Sequence, residues 1–367
     1  MTMSRRKMIA LVGGGVVLAA GASVGGFAAT RRPNAALVPW DIAGQYDDPR
    51  MAALSWAILA PNPHNRQPWQ AEMVGTDSLR IWREGSRNLP HTDPFDRQMT
   101  IGMGCFLEIF RMAAAELGFS AKTELFPEGE QGPVADITLA SGGQPDPLFA
   151  LVPTRHTNRT AYEDRLPPQE ALTSLLAEAT ATITQGPDVE ALRTLTWQAM
   201  WVELSTHRTH LESIELTRLG KREIIANPDG ISLGGVMLEG MMAVGMITRE
   251  GQADPESSEY KQTADFIRTA MDATPAYVTV VTNGNTRLDQ IEAGRRWVRL
   301  HLTATREGIA MQPLSQALQE YTEQADLYAQ VHEMLAQPGE TVQMLGRIGY
   351  AAPVGPSPRW PLENRLI

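Results

Sequence analysis

The chain has 367 residues, 43% of them hydrophobic and 20% charged, which is ample for a large core and excludes a disordered chain. Its formal net charge is -10, and no run of Lys or Arg supplies the basic face a nucleic-acid binder requires. With a single cysteine, Cys105, an internal disulfide is impossible, so cysteine usage leaves the redox compartment open.

The first element is a targeting segment. Residues 1–29 start with Ser4, Arg5, Arg6 and Lys7 and continue from Met8 to Ala29 without a charge, with small residues at Ala28 and Ala29 suited to cleavage. The paired arginines resemble a twin-arginine export signal. That route carries proteins that fold before export, so it raises the expectation of a cofactor bound inside the cell. An uncleaved membrane anchor is the other reading, since the apolar stretch is long enough to span a bilayer. Two motif matches inside it, Gly21 to Gly25 (G-x-S-x-G) and Gly13 to Gly15, lack the strand–turn–helix setting that gives such motifs meaning.

After a linker rich in Arg and Pro, Met51, Leu54, Ala57 and Ile58 fall at helical spacing. The helix they predict ends in "LAPNPHNRQPW", Leu59 to Trp69, where three prolines stiffen a run of hydrogen-bonding side chains. Strands are expected at 78–82 and 134–140, with a long helix over 103–119 between them. A second series begins near Pro167 with a helix. The β-branched run Ala276 to Asn283 follows as a strand, and then a helix over 294–308. Gly104 to Gly118 and Gly294 to Gly308 share one spacing, and Arg97, Ile101, Leu107, Phe110 and Ala114 recur as Arg287, Ile291, Trp297, Leu300 and Ala304. This offset predicts two related α+β halves, 35–150 and 151–367. Residues 228–250 look inserted. Met237, Met241, Met242 and Met246 there suit either a buried helix with flexible gap-fillers or a lid over a flat apolar ligand.

Two further stretches carry chemistry. In "PTRHTNRTAYEDRLPP", Pro153 to Pro168, Arg155 and Arg159 flank Thr157 and Asn158; they could grip a phosphate. A solvated linker with arginines paired to Glu163 and Asp164 is the alternative. The tail "GYAAPVGPSPRWPLENRL" holds four prolines around Arg359 and reads as a stiff strap, or as a frayed terminus. His207 and His210 form an H-x-x-H without an obvious third ligand, so no metal site is expected. Cys105 opens an apolar helix and reads as a structural thiol.

Taken together, "APNPHNRQPW", "RHTNR" and the tail resemble the N-x-Q-P-W, Arg-rich and closing P-R-x-P segments of the nitroreductase superfamily. The signal and double length resemble its Acg-like branch, where two nitroreductase-like halves share one chain. The resemblance runs through nearly all of residues 45–367 and implies an intramolecular pseudo-dimer, each half a mixed sheet packed with helices, that needs no obligate partner chain. It implies FMN as cofactor, with Asn65 and Gln67 at the pyrimidine edge and His64 beside the ring. Arg155, Thr157, Asn158 and Arg159 would sit on the phosphate and ribityl chain, Gln312 near N5, and Arg359 closed over the phosphate. The Arg-rich segment here follows the N-x-Q-P-W segment instead of preceding it, and "DDPRMAA" at 47–53 lacks that signature. One working and one decayed flavin site are therefore expected. The implied activity is that of an exported, periplasmic FMN-dependent oxidoreductase passing hydride through N5 to a small aromatic or quinone-like acceptor, with no catalytic side chain. The electron donor would be a quinol, an electron-transfer protein or a substrate that is itself oxidised. The alternative is an FMN-sequestering protein without turnover. Contact with a membrane would come only through the signal segment or an uncleaved anchor.

Overall fold

The computed structural model describes residues 31–179 and 181–367; the export segment read at 1–29 lies outside the described residues. In the first half, α1 (Pro49–Ala57) starts on Asp48, whose side chain accepts from the Arg50 amide, with Pro49 at the first helical position. Strands β1 (Trp69–Val74) and β2 (Ser78–Arg83), helix α2 (Arg97–Glu116), and strands β3 (Phe119–Leu125) and β4 (Ala135–Ser141) follow. Buried Arg50 closes the β1–β2 hairpin by donating to the carbonyls of Gly75 and Ser78, both at 2.9 Å. The strands form an antiparallel sheet in the order β1-β2-β4-β3.

In the second half, α3 (Gln169–Ala179), β5 (Thr182–Thr184), α4 (Asp188–Ser205) and α5 (His207–Leu216) lead into an extra block. That block comprises β6 (Thr217–Leu219), α6 (Gly220–Ala226), β7 (Ile231–Leu233), α7 (Val236–Ala243) and α8 (Arg249–Ala253). The half resumes with α9 (Ser258–Asp272), β8 (Ala276–Thr282), α10 (Arg287–Arg306), β9 (Ala310–Pro313), α11 (Ala325–Leu335) and β10 (Thr341–Gly349). Its antiparallel sheet runs β5-β8-β10-β9. The fold is thus two α+β halves of matching plan. No described helix is long and apolar enough to cross a membrane.

The offset of 190 residues seen in the sequence is a pseudo-twofold axis in space. Helices α2 and α10 are each 20 residues long, α2 nearly wholly buried and α10 buried along one face, and they pack against each other in the centre of the molecule. A Cβ added to Gly104 would lie 2.2 Å from the Ile291 carbonyl, and one added to Gly294 would lie 2.0 Å from the Ile101 carbonyl. Those four positions are two symmetry-related pairs. Glycine is required at both because the obstacle is backbone.

The tail is an ordered strap, which settles the choice left by the sequence. After β10 it crosses onto the first half: Arg359 N donates to Ala36 O at 2.9 Å, Ile367 N to Ala71 O at 3.0 Å, and Arg365 pairs with Glu84 at 2.8 Å.

Gly104→Ala is expected to lower stability by about 3 kcal/mol, since neither helix can move away without opening the shared core. Gly240→Ala, on α7 with open space around it, is expected to be neutral or to stabilise by up to about 1 kcal/mol. Urea unfolding of the two variants checks the contrast.

Candidate functional site

Where α2 meets the segments gathered around it, a cleft of about 750 Å³ opens, counting the solvent at its mouth. Its floor is the α2 stripe Gln98, Ile101, Gly102 and Cys105 together with Trp297 of α10. Pro61, Asn62, Pro63 and Asn65 form one wall, and Arg155, His156, Thr157 and Arg159 another. Trp40, Ser357 and Arg359 close one end, and Pro313, Ser315 and Met344 of the second half the other. The cleft is built by both halves and the strap.

The proline-rich turn is strained. His64, Asn65 and Gln67 have φ of 46, 51 and 51°, a left-handed region that non-glycine residues enter at a cost of about 1 kcal/mol each. Several distant groups hold it. Gln67, fully buried, donates from its side chain to Pro228 O at 2.6 Å and accepts from Trp360 N at 2.9 Å. Its amide donates to Asn62 Oδ1 at 2.7 Å. Asn65 donates to Pro358 O at 3.1 Å. Arg359 donates to Asn65 Oδ1 at 2.7 Å and to the carbonyls of Ile58, Leu59, Ala60 and Pro358 at 2.9, 3.0, 3.1 and 2.9 Å. All five guanidinium donors of Arg359 are therefore engaged by this chain, so it shapes the turn and in this arrangement has no donor left for a ligand. Burial, with Arg155 nearby, lowers its pKa to about 9.

The Arg-rich segment behaves differently. Arg155 is buried, reaches Leu59 O at 3.2 Å and His301 Nδ1 at 3.3 Å, and keeps a buried Nε without a partner. Burial lowers its pKa to about 10. Asn158 turns away, donating to Ala352 O at 2.8 Å and accepting from the Thr160 amide. Arg159 has neither a hydrogen bond nor an ion pair among the described residues, and Thr157 beside it has its hydroxyl in the cleft wall without a bond to the chain. The linker alternative, with arginines paired to Glu163 and Asp164, holds only for Arg165, which pairs with Glu163 at 2.7 Å.

Of the residues expected at the site, Asn65, Arg155, Thr157, Arg159 and Arg359 line the cleft; His64, Gln67, Asn158 and Gln312 do not. Gln312, expected near a bound ring, instead accepts from buried Arg347 at 2.7 Å, while Pro313 and Ser315 reach the cleft. The Met-rich segment is neither a core filler nor a cover: Met237 is 78% exposed and none of its methionines lines the cleft. Sequence reasoning did not single out Trp40, Gln98, Gly102, Ser315 or Met344, which also line the cleft. The helix expected over 103–119 in fact runs Arg97–Glu116, and its earlier start is what brings Gln98, Ile101 and Gly102 onto the face that carries Cys105. Cys105 is 1% exposed, its thiol donates to Gly294 O at 3.1 Å, and burial pushes its pKa up to about 12.

The electrostatics are one-sided. Three arginines and no carboxylate line the cleft, although the chain as a whole is acidic. Burial, then nearby Arg155 and Arg359, lowers the His156 pKa to about 4. His64 falls to about 4 through burial and Arg159, and His301 falls well below its usual value through burial and Arg155. All three are neutral at pH 7. Their neutrality leaves the arginine charge as the field a ligand meets.

No family model matches the chain. Rv3131 of Mycobacterium tuberculosis, whose name places it among the NAD(P)H nitroreductases, is 26% identical over 329 residues, covering 85% of this chain and 89% of its own. The protein of that organism named as the nitroreductase Acg is 35% identical over 77 residues, 21% of this chain and 23% of its own. Among solved structures, the FMN-dependent nitroreductase NfnB of Mycobacterium smegmatis, in complex with NADPH, aligns at 18% identity and a TM-score of 0.36, covering 58% of this chain and 94% of that one. A nitroreductase with bound FMN from Desulfitobacterium hafniense aligns at 14% and 0.32, covering 60% and 96%. Over most of its length the chain is thus similar to a protein named as an NAD(P)H nitroreductase. The shorter match to Acg is a likeness over about a fifth of the chain.

Two outcomes follow for the protein without ligand. Arg359→Met strips three consecutive carbonyls of a donor and is expected to cost about 3 kcal/mol, with release of the tail to limited proteolysis; Arg165→Met, at an exposed pair, is expected to stay within about 1 kcal/mol. Histidines with depressed pKa are protonated more readily in the unfolded chain, so stability is lost as pH falls from about 6.5 to 4. Buried Glu203, raised to about 7 mainly by burial, acts oppositely and removes stability as pH rises from about 4.5 to 7. The net expectation is a loss of roughly 3 kcal/mol between pH 7 and 4, and a steeper one in Glu203→Gln, read from urea midpoints across pH.

Proposed function

We propose that the cleft binds FMN and that the protein is an exported FMN-dependent oxidoreductase acting on a small aromatic or quinone-like acceptor. The observation that carries this reading is the lining of three arginines without a carboxylate, one of them, Arg159, with no partner in the described chain. Such a wall is matched to a phosphate dianion. Arg159, Thr157 and the unpartnered Nε of Arg155 would take the phosphate. The apolar floor of Ile101, Gly102 and Cys105 with Trp297 would receive a flat ring, and Asn62 and Asn65 stand beside it. His64, Gln67, Asn158, Gln312 and Arg359 would act by fixing the walls. When bound, FMN supplies hydride transfer; the chain positions it and keeps water from its buried face. Export is supported by Arg5 and Arg6 before the charge-free stretch.

A second reading, retention of FMN without turnover, is favoured by one observation. The inserted block is tied to the cleft wall: Gly230 N donates to Asn65 O at 3.2 Å, and Asp229 pairs with Arg66, Arg87 and Arg218 at 3.1, 2.8 and 3.0 Å. A wall clamped this way would release its ligand slowly.

The purified protein is expected to show a flavin absorption spectrum that dithionite bleaches and a nitroaromatic or quinone promptly restores. Bound flavin that ignores acceptors would support retention, and failure to bind FMN after reconstitution would overturn both readings. Arg159→Gln is expected to weaken FMN binding about 10- to 100-fold with an unchanged melting temperature, as followed by quenching of flavin fluorescence.

A further inference from the structure

The inserted block leaves the cleft uncovered and presents a surface of its own. From Ile231 to Thr248 the only ionisable side chain is Glu239, in a chain of which 20% is charged. Glu239 is buried, pairs with Arg31 at 3.1 Å and accepts from the Lys221 amide at 3.1 Å. What faces outward is apolar: Met237 is 78% exposed, Val244 70%, Met246 61% and Val236 42%. Ala243 and Gly245 between them are exposed as well. Single exposed apolar residues are ordinary; a continuous, charge-free run of them marks a surface meant for another apolar phase. Arg32, exposed, lines a groove with Val236, and exposed Arg222 lies two residues from Gly220, which packs on Glu239 and Met242 of α7.

The second observation is what precedes this surface. Met8 to Ala29 is a charge-free stretch of a length that matches the apolar thickness of a bilayer. Arg31 is fixed on α7 itself through Glu239. One residue, Thr30, separates Ala29 from Arg31, and two steps along the chain reach at most about 7 Å. An apolar segment held in a membrane therefore delivers α7 to the bilayer surface within that distance.

We infer that Val236–Met246 is a membrane-seated face, resting its Met and Val side chains at the boundary between headgroups and acyl chains of an anionic bilayer, with Arg32 and Arg222 toward the headgroups. Such interfacial seating needs an apolar face, a short polar flank and basic residues, and each is present. The inference does not depend on the flavin reading, since no residue in it lines the cleft.

The test uses the full chain. Cys105 is buried, so Met237→Cys, Val244→Cys and, as a control on the exposed β4 end, Gln144→Cys can each carry an environment-sensitive nitrobenzoxadiazole label. In vesicles of phosphatidylcholine with phosphatidylglycerol, labels at 237 and 244 are expected to shift to the blue and to lose about half their emission to brominated acyl chains. The label at 144 stays unquenched. Vesicle-bound protein in which all three labels remain equally open to aqueous iodide would overturn the inference, because the N-terminal segment alone would then account for binding. A blue shift at 237 and 244 without quenching by brominated lipid would also overturn it and would mark the face as a contact between copies of the chain.

Discussion

The absence of side chains at Gly104 and Gly294 is the constraint from which the rest of the molecule follows. It lets α2 and α10 meet backbone to backbone across the pseudo-twofold axis, with each glycine facing the carbonyl three residues before the other. In a protein assembled from two chains such a seam would be an interface; here one polypeptide owns both sides. The cleft sits on this seam, floored by α2 and Trp297 of α10. It is built once because the halves are not equal at the deciding positions. Where α2 has Gly102 and Cys105, which leave space, α10 has the larger, charged Glu292 and Arg295. Glu292 pairs along its own helix with Arg296 at 3.1 Å.

The seam fixes the floor, and chain order fixes the walls. A turn with three left-handed residues cannot hold itself, and the groups that hold it come from elsewhere: Pro228 in the inserted block, and Arg359 and Trp360 in the strap. Backbone strain is thus balanced by five donors of one buried guanidinium. This explains why the tail must carry an arginine between prolines, and why Arg359 works as a brace while Arg159, exposed and unpaired, keeps its donors.

How far this could be read beforehand depended on whether the signal was local. The α2–α10 repeat, the strand at 276–282 and the cleft-facing chain segments were legible because periodicity, β-branching and clustered Pro and Arg are properties of neighbours in sequence. Strand β10 was not. Its nine buried residues include Gln343, Gly346 and Arg347, which break any apolar pattern. Each is explained only by a distant partner: Gly346 by Trp297, Arg347 by Gln312, Ala270 O and Thr160 O, and Gln343 by Thr282 and Arg97. The same limit separates Gln67 and Gln312 from Asn65. The sequence marks all three as polar, but whether an amide faces a ligand or the chain is decided by partners 35 to 293 residues away.

The charge of the cleft gives these arrangements a direction. Burying Arg155 and Arg359 without a neighbouring carboxylate costs solvation energy, which the depressed pKa of each guanidinium records. The chain could have relieved this with one of its 42 acidic residues, as it does around Asp229 and Glu84 nearby. It does not do so here; the cleft histidines stay neutral, and Arg359 is given only main-chain carbonyls and the Asn65 amide oxygen as acceptors. A positive, carboxylate-free wall in an acidic protein is unfavourable alone and would be relieved by an anion. The same strap that maintains this wall turns Pro356 and Pro358 to a groove beside the apolar face of α7, and Ser357 and Arg359 to the cleft. One short segment therefore separates the anion-seeking site from the surface suited to lipid, and its stiffness keeps the two chemistries apart.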